Sequence, residues 1–177
     1  MVIKREWWIE KEINPINNNL LLFDEILQQI YDNFIIHHRA DFITWHFFRE
    51  NYNIRVRFEF HNREVRDKFV TIINDLLDSI DIINKHYFAN HGRRIENLDD
   101  GYPGEQETYG RLWFQQKKLW EWGSEMAIGA YKEYLETGDN FPHRSYQLKR
   151  VFHLLSNQLH CIFNEGALIF QERSWDR

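Results

Sequence analysis

The sequence predicts a mixed α+β fold, an antiparallel sheet with a β-α-β-β-α core packed by helices on one face, plus two long C-terminal helices. In some segments apolar residues recur at steps of three and four, and in others at alternate positions. These are the periods of helices and strands. Turn-forming residues separate the segments without a fixed repeat. A length of 177 residues suits one domain, so residues 1–177 are predicted to form a single domain.

The elements of the core follow in order along the chain. A first strand is predicted over residues 7–13, where apolar residues alternate loosely, and helical spacing predicts a helix over residues 20–38. Two β-rich runs, residues 42–49 and 54–61, predict a hairpin. Asn62 is a candidate N-cap for a second helix through residue 85. The remaining predictions are a short strand at 86–89, a surface loop at 91–104 and helices at 112–135 and 145–163.

The second strand of the hairpin carries two arginines on one side. Arg55, Arg57 and Glu59 alternate with apolar residues, so their side chains share a face. Two neighbouring guanidinium groups can bind a carboxylate or phosphate with paired hydrogen bonds. The alternative is a solvated face on which Glu59 simply pairs with an arginine. The sequence alone leaves both interpretations open.

The first strand of the hairpin adds a histidine to the arginine face. We predict a register in which Arg49 lies opposite Ile54. In that register His46 lies opposite Arg57, on the side of the strand that carries both arginines. The sequence therefore predicts a surface that combines an imidazole with two guanidinium groups.

Two other segments carry polar side chains with possible chemical roles. His153 and Asn157 lie at helical spacing in an apolar helix, where a histidine could move protons and an asparagine could orient a substrate. Glu107 and Tyr109 precede the helix at 112–135. The alternative for His153 and Asn157 is that they are buried polar groups with structural partners. The alternative for Glu107 is that its carboxylate complements the helix dipole.

Composition excludes several classes of protein. A net charge of -5 argues against non-specific nucleic-acid binding, which needs a basic surface. The single cysteine, Cys161, excludes an intramolecular disulfide and zinc sites built on paired cysteines. The amino terminus is too charged for a signal peptide, and no apolar run is long enough to span a bilayer. We therefore expect a soluble cytoplasmic protein that binds neither membranes nor nucleic acid.

Four segments, taken in order, resemble the C-terminal domain of lantibiotic dehydratases and of thiopeptide-type bacteriocin biosynthesis proteins. The first of the four consists of both strands of the predicted hairpin. Residues 45–49 are similar to that family's aromatic strand ending in arginine, and residues 53–58 to its His-Leu-Arg-Leu-Arg strand. Residues 105–110 resemble its Glu-x-Glu-Arg-Tyr-Gly-Gly segment. Residues 120–125 resemble its Phe-x-x-Asp-Ser-Glu, and residues 153–159 its His-Met-x-x-Asn-Arg-Leu. Together these segments extend over about two-thirds of the chain.

This resemblance implies a role in the maturation of ribosomally synthesised (RiPP) precursor peptides, without a metal or an organic cofactor. In dehydratases the domain is a lyase that expels glutamate from glutamylated serine or threonine and leaves dehydroamino acids. Related thiopeptide enzymes use the fold for a cycloaddition. The catalytic residues that the resemblance implies are Arg49, Arg55, Arg57 and His153. The implied substrate-binding residues are His46, Glu107, Tyr109, Ser124 and Asn157.

The chain also departs from the family pattern, and the departures keep other functions open. Residues that replace a family histidine, arginine, glycine or aspartate are Asn53, Thr108, Arg111, Gly123 and Gln158. Their loss is compatible with a non-catalytic peptide-binding or scaffold subunit that works with a glutamylating or other peptide-modifying enzyme. A third hypothesis is an unrelated α+β domain that binds a small anion or forms a homodimer through its aromatic surface.

Overall fold

The computed structural model describes residues 6–50, 52–90, 93–96, 106 and 108–138. Contacts divide the chain into two compact units, residues 1–136 and 137–177, and nearly all of the described residues belong to the first unit. The helix predicted over 145–163 lies outside the described residues. A single domain over the whole chain stays a prediction.

Five strands form one antiparallel sheet in the order β2-β3-β1-β4-β5. The first strand along the chain is therefore central, with the hairpin on one side of it and the later strands on the other. The mixed α+β class and the antiparallel sheet are confirmed. The strands are β1 (Trp7–Pro15), β2 (Phe42–Glu50), β3 (Asn53–Phe60), β4 (Ile83–Asn90) and β5 (Arg93–Arg94).

Helical segments occur where the apolar spacing predicts them, but the first of them is not a continuous α-helix. The segment at 20–38 contains a π-helical turn between two α-helices, and Asn62 caps the next helix by accepting a hydrogen bond from the Val65 amide at 2.9 Å. None of the described helices has the length and apolar character that crossing a membrane requires. The α-helices are α1 (Phe23–Ile30), α2 (Ile36–His38), α3 (Arg63–Asp78) and α4 (Trp113–Thr137).

The prediction that the second long helix continues to residue 85 is wrong. α3 ends at Asp78. At its C-cap, the Ser79 hydroxyl donates a hydrogen bond to the Leu76 carbonyl at 2.6 Å. The chain then enters β4, so the short strand predicted at 86–89 is part of a longer one. Ile80, Ile82 and Ile83 fit either the helical or the strand period, and pairing with the distant β1 decides between them.

The predicted register of the hairpin is confirmed. Arg49 lies opposite Ile54, and His46 lies opposite Arg57. Because side chains alternate along each strand, this register fixes which residues share a face. His46 and Arg57 are therefore on the same side of the sheet, as the sequence predicts.

A β-bulge interrupts the start of β2. The register shifts between Phe42 and Thr44, so that Phe42 pairs with Phe60 whereas Thr44 pairs with Glu59. In a regular strand two residues separated by one other would share a face. The bulge places Phe42 and Thr44 on opposite faces instead.

The two faces of the sheet differ in composition and in the helices that cover them. α1, the π-helical turn and α3 pack on one face, which we call the apolar face. α4 covers part of the other, which we call the charged face, and its Ile128 joins the core of the apolar face. Residues of the apolar face include Ile9, Ile13, Trp45, Ile54, Val56, Phe58 and Phe60. Residues of the charged face include Trp8, Glu10, Glu12, His46, Arg55, Arg57 and Glu59.

Candidate functional site

The candidate site is a row of three residues across the charged face. Glu10 of β1 lies opposite Arg57 of β3, and Arg57 lies opposite His46 of β2. Arg55 is on the same face, one pleat further along β3. The structure therefore brings together the histidine and the two arginines that the sequence places on one surface.

One carboxylate from the neighbouring strand contacts both arginines. Glu10 accepts a hydrogen bond from Arg57 Nε, and its other oxygen lies 3.5 Å from Arg55 Nη1. The side chain of Arg57 is only 3% exposed, that of Arg55 is 11% exposed and that of Glu10 is fully buried. The alternative of a solvated face is therefore wrong, because these charges are enclosed and Glu10 contacts both arginines.

A second ion cluster joins the charged face to α4. Lys117 Nζ donates to Glu6 at 2.7 Å and to Glu59 at 2.6 Å. The indole nitrogens of Trp8 and Trp113 also donate to the Glu6 carboxylate, at 2.9 and 2.7 Å. Lys117 thus bridges two carboxylates in this cluster, whereas Glu10 bridges two arginines in the other.

His46 is fully buried among aromatic rings. Its ring centroid lies 4.9 Å from that of Trp120, 5.1 Å from that of Phe48 and 5.7 Å from that of Trp8. Within the part of the chain that the structure describes, neither ring nitrogen has a hydrogen-bond partner. A buried polar group without a partner costs free energy, so this imidazole is an exception that invites a functional explanation.

The surroundings of His46 keep its imidazole neutral. Burial lowers the pKa of His46 well below its usual value, and the positive charges of Arg57, Lys117 and Arg55 lower that pKa further. A neutral imidazole has one nitrogen that can accept a proton or a hydrogen bond. His46 can therefore act as an acceptor near neutral pH, although it is a weak base.

Two other predicted site residues lie close to this row. The Tyr109 ring stacks on Trp113 at 5.8 Å and meets the edge of Trp120 at 5.6 Å. Ser124 Oγ accepts a hydrogen bond from the Phe47 amide at 3.1 Å and donates one to the Trp120 carbonyl at 2.9 Å. Tyr109 thus belongs to the aromatic cluster above the site, whereas Ser124 ties α4 to the edge strand β2.

Arg49 does not join the other predicted site residues. Its side chain is on the side of the sheet that α1 covers, where it forms an ion pair with Asp24. Grouping Arg49 with the arginines of β3 is therefore wrong, because strand alternation sends it to the opposite face. Glu107, His153 and Asn157 lie outside the residues whose side chains the structure describes.

Sequence reasoning missed the residues that neutralise the site. Glu10 and Glu12 are two residues apart in β1 and therefore share a face, and pairing of β1 with β3 would have placed them beside the arginines. Lys117 is harder to find, because a lysine among the aromatic residues of a helix is usually a solvent-exposed one. Its partners are 111 and 58 residues away along the chain.

A comparison with protein-family models, with curated proteins and with solved structures finds no match. The resemblance to the dehydratase domain therefore remains a prediction. Among the described residues, no group of three His, Cys, Asp or Glu side chains is arranged to hold a metal ion.

Proposed function

We propose that this chain acts in the maturation of a ribosomally synthesised peptide by eliminating glutamate from glutamylated serine or threonine at the charged face. One observation carries the proposal: three of the four segments that resemble the dehydratase domain meet there. The Trp120 ring of the third segment lies 4.9 Å from His46 of the first and 5.6 Å from Tyr109 of the second. Segments that resemble a family's site in sequence are expected to converge in space if they form such a site.

The chemistry needs a base, an anion site and a stabilised enolate. A base removes the Cα proton, a Cα–Cβ double bond forms, and the Cβ–O bond breaks as glutamate leaves. Arg55 is the more exposed of the two arginines and has the longer contact with Glu10. It is therefore the guanidinium that a substrate carboxylate would take over, and the neutral imidazole of His46 would accept a proton.

A specific observation favours a second candidate, a non-catalytic peptide-binding subunit. Glu10 already contacts both arginines, and His46 is fully buried beneath Trp120. A substrate would have to displace Glu10 and part of α4 to reach the imidazole. A subunit that only holds the peptide for a partner enzyme needs no such opening.

The test is to incubate the protein with a glutamylated precursor peptide and to follow loss of glutamate by mass spectrometry. Arg55→Ala should slow the elimination by about 100-fold, the usual effect of removing one preorganised charge-stabilising group. Arg63→Ala is the matched control, because this arginine is exposed on α3 and remote from the charged face. Unchanged elimination in Arg55→Ala would contradict the proposed site.

Direct binding separates the two candidates. If the peptide binds, as followed by fluorescence anisotropy, but no glutamate is lost, the non-catalytic subunit is supported and the lyase is rejected. If the peptide neither binds nor reacts, both candidates are rejected.

A further inference from the structure

A second group of titratable side chains lines an open groove of about 590 Å³ on the apolar side of the sheet. The groove lies where the end of α3 meets β4 and β5, and it extends to Tyr87 and Arg94, which lie beside Glu12 at the edge of the charged face. Its volume falls within the usual range of small-molecule sites, about 300–1,000 Å³. The residues that carry the argument are Lys11, Asn74, Asp78, His86, Phe88 and Ile95.

Lys11 is an amine buried without a counter-charge. The residue is 2% exposed, its Nζ donates to Asn74 Oδ1 at 2.7 Å, and the same nitrogen lies 3.7 Å from the centroid of the Phe88 ring. Among the described residues, no carboxylate lies within ion-pair distance of Lys11. A buried ammonium without such a partner is costly, which is unusual for a purely structural lysine.

Burial lowers the pKa of Lys11 to about 8, and the more distant charge of Asp78 only partly offsets this effect. With that pKa, about a tenth of the amine is neutral at pH 7, whereas an ordinary lysine is neutral at about one part in three thousand. The neutral amine is the nucleophilic form. Lys11 thus has the environment of a reactive lysine.

A histidine–carboxylate pair lies in the same groove. His86 Nε2 lies 2.9 Å from Asp78 Oδ1, and His86 Nδ1 is buried without a hydrogen-bond partner in the described part of the chain. A carboxylate that holds one ring nitrogen fixes the tautomer and leaves the other nitrogen for proton exchange. The other ionisable groups lining the groove are Tyr87, Arg94 and Glu96.

We propose that this groove is a carbonyl-binding site in which the Lys11 amine condenses with an aldehyde or ketone. The amine nitrogen attacks the carbonyl carbon to give a carbinolamine, and loss of one water then gives a C=N bond. His86 Nδ1 would accept a proton that the attacking amine nitrogen releases and would pass it to the departing hydroxyl, while Phe88 and Ile95 would pack against the apolar part of the ligand. The condensation is reversible and needs no oxidant or reductant. It is independent of the function proposed for the charged face.

Reductive trapping on the intact chain tests the proposal. Benzaldehyde with cyanoborohydride converts an imine into a stable benzylamine, which peptide mass spectrometry can assign to a residue. At about pH 7.5 we expect Lys11 to be modified at least tenfold faster than Lys68, an exposed lysine of α3, because burial favours the neutral form of the Lys11 amine. The Lys11 rate should also saturate as benzaldehyde is increased. Modification no faster than that of Lys68, or a rate that rises linearly, would overturn the proposal.

Two variants test the role of the pair. His86→Gln should slow Lys11 trapping several-fold, and His61→Gln, which changes an exposed histidine outside the groove, should leave it unchanged. Equal rates in the wild type and His86→Gln would remove His86 from the mechanism. Lys11→Arg should abolish the fast modification, and the wild-type measurement stands by itself if this variant does not fold.

Discussion

Both faces of the sheet contain buried residues, but different interactions stabilise those residues on each face. On the apolar face, side chains such as Phe58 and Phe60 pack against α1 and α3 in a continuous core. On the charged face, Glu10, Arg57 and Glu59 are enclosed to a similar degree, yet each depends on an oppositely charged partner. Burial alone therefore does not reveal the nature of a face.

This difference affects how each face responds to substitution. Truncating an apolar residue costs the lost transfer free energy and the cavity left behind, whatever its neighbours are. Removing one member of a buried ion pair leaves the other member uncompensated, so the cost belongs to the pair. Neighbouring residues of β3 allow a direct comparison of the two cases.

The largest expected effect comes from Arg57→Ala and Phe58→Ala. Each should lower the free energy of unfolding by about 3–5 kcal/mol, measured by urea denaturation, because Arg57→Ala removes the nearer of the two cations that contact buried Glu10 and Phe58→Ala leaves a cavity. Adding Glu10→Gln to Arg57→Ala should recover part of the loss, whereas adding it to Phe58→Ala should not. If Glu10→Gln changes the free energy of unfolding equally in the two variants, the proposed difference between the faces is wrong.

The next effect is the pH dependence that His46 gives to the charged face. The pKa of His46 is lowered in the folded protein, so the unfolded chain takes up this proton at a higher pH than the folded one. Stability therefore falls as pH drops below about 6.5, by at most about 2 kcal/mol at pH 5. In His46→Leu this contribution should disappear, as measured by urea unfolding at both pH values. The same slope in the variant would contradict a buried neutral imidazole.

A smaller effect concerns the helical cover of the apolar face. Asn62→Ala removes the side-chain cap of α3 and should lower the free energy of unfolding by about 1 kcal/mol. Asn62→Ser, which retains a capping oxygen, should lose much less. Thermal unfolding followed by circular dichroism would measure both. If alanine and serine cost the same, the cap does not stabilise this helix.

The elements that local sequence determines were predictable. Alternation in Ile54, Val56, Phe58 and Phe60 identifies β3, and the short connection to β2 fixes the register that places His46 opposite Arg57. The C-terminal end of α3 was not predictable from local sequence. Ile80, Ile82 and Ile83 satisfy both the helical and the strand period. The choice between helix and strand depends on pairing with β1 about 70 residues earlier.

The candidate site was predictable only in part, for a related reason. Strand alternation shows that Arg55 and Arg57 share a face, but it does not show which strand lies beside them. The partner of both is Glu10, 47 residues from Arg57 in sequence, and the cover comes from an even later helix. The charge environment of a site is a long-range property, and a single sequence carries little information about it.

The bulge at the start of β2 bears on how this chain should tolerate changes in length. Elsewhere in β2 or β3, losing one residue would exchange the inward and outward side chains of everything beyond it. At Ile43 the extra residue is already outside the ladder, so its loss would restore a regular strand and leave Phe42 and Thr44 on the sides they now occupy. A one-residue deletion within β2 should therefore be tolerated best at Ile43.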